Sequence, residues 1–144
     1  MTATLTVANS SIVLTVEGLY PNGVALTGYA ADNVFEMQAV ENGEFSMGID
    51  GKLSAGWVPN PIPLTLTFQA DSPSLRIMQE IWQREQSTRD KLRTGLTIAL
   101  PSNNMRYTAR DGFMQSFQAP SGQRILQPGV AVFTFGRIEF SRIN

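Results

Sequence analysis

The segment Ile62-Pro63-Leu64-Thr65-Leu66-Thr67-Phe68-Gln69-Ala70-Asp71-Ser72-Pro73-Ser74-Leu75 decides the fold, together with the residues that follow it to Asp90. Ile62, Leu64, Leu66, Phe68 and Ala70 alternate with Pro63, Thr65, Thr67 and Gln69. A strict period of two is the pattern of a strand with one buried face. Ser72 then suits a helix N-cap, and Pro73 suits the first helical position, where its missing N–H costs nothing. Leu75, Met78, Ile81 and Trp82 fall on one stripe of a helix predicted over residues 73–90. On its other side Glu80 and Arg84, then Glu85 and Arg89, stand at i,i+4 with the acid first, the favourable order. Every other periodic segment reads as strand, so this helix must cover a sheet.

The flanking chain supplies that sheet. Residues 1–10 are small and polar and read as an arm or an edge segment. Ile12, Leu14 and Val16 give a first strand, Tyr20-Pro21-Asn22-Gly23 a turn by composition, and residues 24–29 a second strand. Phe35, Met37 and Ala39 share the face of a third. Beyond the helix, Gly95 is a plausible stop and residues 96–100 form a strand. Residues 105–110 and 113–117 continue as strand around Asp111-Gly112, a turn or a bulge. In the last strand, residues 130–143, Phe133 and Phe135 occupy one phase and Ile138 and Phe140 the other. A bulge at Gly136 explains that switch, and so does a strand that leaves one core for another environment.

Residues 44–58 form a hairpin that projects from this frame. Phe45, Met47 and Ile49 alternate on one side of Asp50-Gly51, and Leu53, Ala55 and Trp57 on the other. A two-residue Asp-Gly turn would set Ile49 against Lys52 and Met47 against Ser54. A loop of three, Asp50-Gly51-Lys52, instead sets Ile49 against Leu53, Met47 against Ala55 and Phe45 against Trp57. Side-chain register outranks the dipeptide rule, because a slip of one residue turns the whole face over. Gly48, Gly51 and Gly56, with Gly43 just before them, soften the hairpin, and Pro59-Asn60-Pro61 separates it from the core strand. An apolar face on such an element suits an interface. Phe45, Met47, Ile49, Leu53 and Trp57 are therefore the candidate inter-subunit residues.

Composition narrows the chemistry. The 144 residues fit a single domain, long enough to bury ~68–70% of the unfolded surface. No apolar run approaches a membrane span of ~20 residues, and the N-terminus lacks the basic region of a signal peptide. The absence of cysteine removes disulfides, thiolate metal sites and thiol nucleophiles. The absence of histidine argues against hydrolytic triads and the usual base near neutral pH. Asn9-Ser10-Ser11 matches a glycosylation sequon that means little without secretion.

Neither phosphate-loop pattern occurs, and the acids Asp32, Glu36, Glu41, Glu44 and Asp50 lack the compact spacing of a calcium loop. They read as a solvated face, and so do Glu36 and Glu41 as an imagined glycosidase pair. Arg89, Lys91, Arg93, Arg106 and Arg110 could meet nucleic acid, but a pI near 5.4 without interleaved aromatic residues argues for a solvated helix end. No catalytic, cofactor or metal residue is predicted.

The net charge of −1 hides a split. Residues 1–71 carry seven acids against Lys52 alone, a net of −6; residues 72–144 carry ten Arg and Lys against five acids, a net of +5. Such a molecule can meet its own copies head to tail.

Across residues 24–116 the order of features resembles phage tail tube proteins of the Mu-like, long-tailed kind. The residues that carry the resemblance are Gly48-Ile49-Asp50-Gly51, Ala55-Gly56-Trp57, Pro61 to Phe68 and Ser72-Pro73-Ser74-Leu75. Thr27 to Phe35 and Arg106 to Gly112 also fit. The resemblance implies a mainly β fold, a β-sandwich or small barrel with one flanking α-helix. It implies a virion protein made in the host cytoplasm, with no active site. Its copies would form hexameric rings that stack into a hollow tube for ejected viral DNA. Tail sheath, tape measure, baseplate and terminator proteins would be its neighbours. Rival readings are a tube initiator or terminator, and a β-sandwich that binds a carbohydrate or peptide on Trp57.

Overall fold

The computed structural model describes residues 11–27, 35–101, 104–120, 122 and 127–143. The N-terminal arm and the segment around Tyr29 and Asp32 lie outside them. Among the described residues the chain is mainly β with one α-helix. The strands are β1 (Ser11–Val16), β2 (Tyr20–Leu26), β3 (Phe35–Met37), β4 (Gly43–Met47), β5 (Leu53–Trp57) and β6 (Ile62–Phe68), then β7 (Thr94–Leu100), β8 (Met105–Gln118) and β9 (Gly129–Arg142), with α1 (Ser74–Thr88) between β6 and β7. Seven strands make one antiparallel sheet in the order β2-β1-β7-β8-β9-β6-β3, while β4 and β5 pair only with each other. The sheet is open, with β2 and β3 at its ends, which sets the small-barrel alternative aside in favour of a sandwich-like wrap with a flanking helix.

The alternation in β6 is realised as read. Leu64, Leu66 and Phe68 are buried, Leu64 lies opposite Phe133 and Leu66 opposite Ala131. Phe133 and Phe135 stack with ring centroids 6.2 Å apart. These side chains join Ile12, Leu14, Ile98, Met114 and the helical Leu75, Met78 and Ile81 in one core. Trp82, read as part of the helix stripe, is 37% exposed and lies at its margin.

The helix start is fixed by two serines. Pro73 already has helical φ and ψ, and Ser72 Oγ accepts the Ser74 amide at 3.2 Å, so Ser72 caps the first turn although the regular helix opens at Ser74. Ser72 Oγ also donates to the Thr27 carbonyl at 2.6 Å, and Ser74 Oγ accepts the Thr27 amide at 2.7 Å. The buried helix entrance thus holds the end of β2. Farther along, the Tyr20 hydroxyl donates to Glu80 at 2.8 Å, and that bond, with burial and the carboxylate charge, raises the phenol above its ordinary pKa. Glu80 is taken by Tyr20 and Glu85 by Lys91 and the Leu92 amide, in place of the i,i+4 partners Arg84 and Arg89. The helix ends at Arg89, left-handed at φ 56°, and not at Gly95, which lies inside β7.

Two local readings change. The reversal between β1 and β2 falls at residues 17–19, and Pro21, Asn22 and Gly23 form an irregularity within β2 opposite Thr15, where pairing passes from Leu14↔Val24 to Val16↔Tyr20. The phase switch in β9 has its partner in β8. Thr94 faces Gly112 and Leu96 faces Ala109, so Arg110 and Asp111 together oppose Gly95 as a bulge, with Asp111 at φ 56°. Pairing of β8 with β9 continues in step across this level, from Ala109↔Ile138 to Gly112↔Phe135. The kink therefore sits at Asp111 and β9 follows it, with no bulge at Gly136. A Cβ on Gly112 would lie 2.1 Å from the Phe135 ring, so any side chain here must push the ring aside.

Candidate assembly surface

The hairpin β4–β5 pairs Gly43 with Trp57, Phe45 with Ala55 and Met47 with Leu53. Its loop has the expected three residues but begins one earlier, at Ile49-Asp50-Gly51. The Gly51 amide donates to the Gly48 carbonyl at 3.0 Å and the Gly48 amide to the Lys52 carbonyl at 2.8 Å. The last loop residue must be left-handed, and Gly51 takes φ 84° without strain where Lys52 could not. Asp50 Oδ1 accepts the Lys52 amide at 3.1 Å and closes the turn. The register therefore slips by two relative to the sequence reading. Trp57 lies opposite Gly43, not Phe45. A slip of two leaves the faces unchanged, so Phe45, Met47, Leu53, Ala55 and Trp57 still share one.

That face is bare. Phe45 is 70% and Trp57 75% exposed, and Met47, Ile49 and Leu53 are exposed as well. At the base the Val58 amide donates to Asn42 and the Asn60 side chain to Glu41. These bonds fix where the hairpin leaves the body without covering its apolar face. A two-stranded ribbon gains little stability alone.

The cations weighed for nucleic acid are largely engaged within the chain. Lys91 contacts Glu85 at 3.1 Å and the Met114 carbonyl at 2.7 Å. Arg93 pairs with Asp111 at 2.8 Å and lies over the Phe113 ring, while Arg110 approaches Glu139 at 3.8 Å. A shallow groove of about 260 Å³ beside them is lined by Thr15, Glu17, Arg93 and Asp111 among others. Arg93 also approaches Glu17 at 4.0 Å, and this clasp of Glu17, Arg93 and Asp111 was not legible from spacing, because Glu17 and Asp111 lie 94 residues apart. Among the described residues, no group of three or more acids converges where a metal could sit, and no helix is long and apolar enough to cross a membrane.

The family model described as tail fiber protein gp32 matches residues 3–130. The chain belongs to that family. Comparison with curated protein sequences gives no match. The fold of this tail fiber protein gp32 member is similar to a chain in the cryo-EM structure of the anti-feeding prophage baseplate, with a TM-score of 0.65 at 9% identity over 100% of this chain and 99% of that one. It is similar to a chain of the tube-terminating cap of the same particle, with a TM-score of 0.53 at 11% identity over 91% and 87% of the two chains. A third likeness is to the sheath/tube terminator structure of the extracellular contractile injection system PVC, with a TM-score of 0.52 at 10% identity over 90% and 92%. The tail-tube-like fold expected from the resemblance is thus present in this gp32-family chain.

Proposed function

We propose that the protein is a non-catalytic structural subunit of the phage tail that associates with its own copies through the hairpin face of Phe45, Met47, Ile49, Leu53 and Trp57. In this reading hexameric rings close laterally and stack into a hollow tube for ejected DNA, beside sheath, tape measure, baseplate and terminator proteins. The carrying observation is the hairpin, a ribbon whose large apolar residues are all solvent-exposed. Family membership and the fold likeness support the tail setting.

A second reading, a subunit that forms one ring at the tube end, is favoured by the baseplate likeness at a TM-score of 0.65 against 0.50 for the sheath-tube chain. Negative-stain microscopy of concentrated protein separates the two by particle length. Rings or tubes support assembly, and a monomer at every concentration overturns it. If the charge split orients the copies, growth slows as the Debye length falls from ~10 Å at 0.1 M salt to ~3 Å at 1 M. Growth indifferent to salt removes that role.

A further inference from the structure

The sheet has an overhang that matches the hairpin. β6 pairs with β9 from Phe68↔Gly129 to Ile62↔Phe135 and stops there. The residues before Ile62 turn to the hairpin base instead, where the Val58 amide donates to the Asn42 carbonyl and the Asn60 side chain to the Glu41 carbonyl. Residues 137–142 of β9 are therefore paired with β8 on one side, from Arg110↔Arg137 to Met105↔Arg142, with no strand on the other among the described residues. Such an edge is a template for another chain.

The overhang also carries an aromatic seat. Phe140, 58% exposed, meets Tyr107 edge-on with centroids 5.0 Å apart, and Tyr107 meets Phe35 at 6.3 Å. Its charge is opposite to that of the hairpin. Residues 105–111 and 136–142 hold four arginines against two acids, with Arg110 near Glu139 and Arg137 near Asp111, which leaves Arg106 and Arg142 in excess. Residues 41–58 hold Glu41, Glu44 and Asp50 against Lys52.

Building on the self-assembly reading above, we propose that the hairpin of one copy docks on the β8–β9 overhang of the next, its apolar face against Phe140 and its acids toward Arg106 and Arg142. One surface pairs with a different one on each copy, so the contact is heterologous and propagates or closes without two-fold symmetry. A single subunit then offers both halves of the joint, and the hairpin gains in the assembly the cover it lacks alone.

The native chain has no cysteine, so introduced thiols report without background. The double variant Met47→Cys/Arg142→Cys, with Arg142 on the same face of β9 as Phe140, treated with a short bis-maleimide under assembling conditions, is expected to give a ladder of covalent oligomers. Each single variant is expected to give none beyond a dimer. Reversing the hairpin charge with Glu41→Lys/Glu44→Lys is expected to raise the concentration at which assembly begins by about tenfold, the scale of one interfacial charge cluster. Adding Arg106→Glu/Arg142→Glu in the same chain is expected to bring it back at least halfway. Assembly without a ladder, a cross-linked product that runs as monomer, or charge reversal without effect or rescue would each overturn this docking while the self-assembly reading stands. A wild-type protein monomeric at every concentration would overturn both.

Discussion

β5 and β6 are separated by four residues and carry the same kind of pattern, yet their fates are opposite. In β6, Leu64, Leu66 and Phe68 sit against Phe133 and Ala131 and are sealed from water. In β5, Leu53 and Trp57 alternate just as regularly and face solvent. Alternation states that a strand has an apolar face; it does not state what covers that face. The cover depends on pairing. β6 lies between β3 and β9 inside the wide sheet, whereas β5 has only β4 beside it. The division falls at Val58-Pro59-Asn60-Pro61, whose Val58 amide and Asn60 side chain bond to Asn42 and Glu41 at the hairpin base and not to β9.

Substitutions on the two sides of those prolines test the contrast. The largest effect is expected for Phe133→Ala, where a ring with no exposed surface leaves a cavity in the core and unfolding free energy falls by ~3–5 kcal/mol in chemical denaturation. A loss below ~1 kcal/mol would mean that the core is loosely packed there. Next is Gly112→Ala, whose methyl would meet the Phe135 ring and force it aside at a cost of ~1–3 kcal/mol. The matched change Gly56→Ala, with nothing within 4 Å of the new Cβ, is expected to leave the thermal transition nearly unmoved. Equal effects at the two glycines would erase the distinction between body and hairpin.

A smaller loss, ~0.5–1.5 kcal/mol, is expected for Tyr20→Phe, which removes the bond from β2 to Glu80 on the helix. No change in melting would show that the two serines alone hold β2. The smallest effect on stability belongs to Trp57→Ala. Its side chain touches water over most of its surface, so the monomer should melt within ~0.5 kcal/mol of wild type, as surface substitutions do. Assembly measured by sedimentation is expected to be lost in the same variant. A variant that unfolds would place Trp57 in the core.

Much of the body was legible because its signals are local. The Ser72-Pro73 helix start, the buried positions of β6 and the phase change in β9 follow from side-chain spacing and backbone chemistry within a few residues. Boundaries were less legible where two local rules compete. Asp50-Gly51 invites a two-residue turn, and the hairpin loop was settled by which residue could take a positive φ. Pro21-Asn22-Gly23 has the composition of a turn but sits within a strand, because the reversal had already occurred at residues 17–19.

By itself the sequence determined the fold class, the helix, the core positions of the main strands and the presence of an apolar hairpin, since each depends on periodicity or on the dihedral limits of glycine and proline. Its order of features between residues 24 and 116 also resembles that of the tail tube proteins. Only the tertiary structure decided the strand order, the clasp of Glu17, Arg93 and Asp111, the placement of the kink at Asp111 and the overhang of β9 beyond Ile62. These depend on residues distant in the chain meeting in one register. A single sequence does not encode that register in any local pattern, because it is set by how all seven strands share one core.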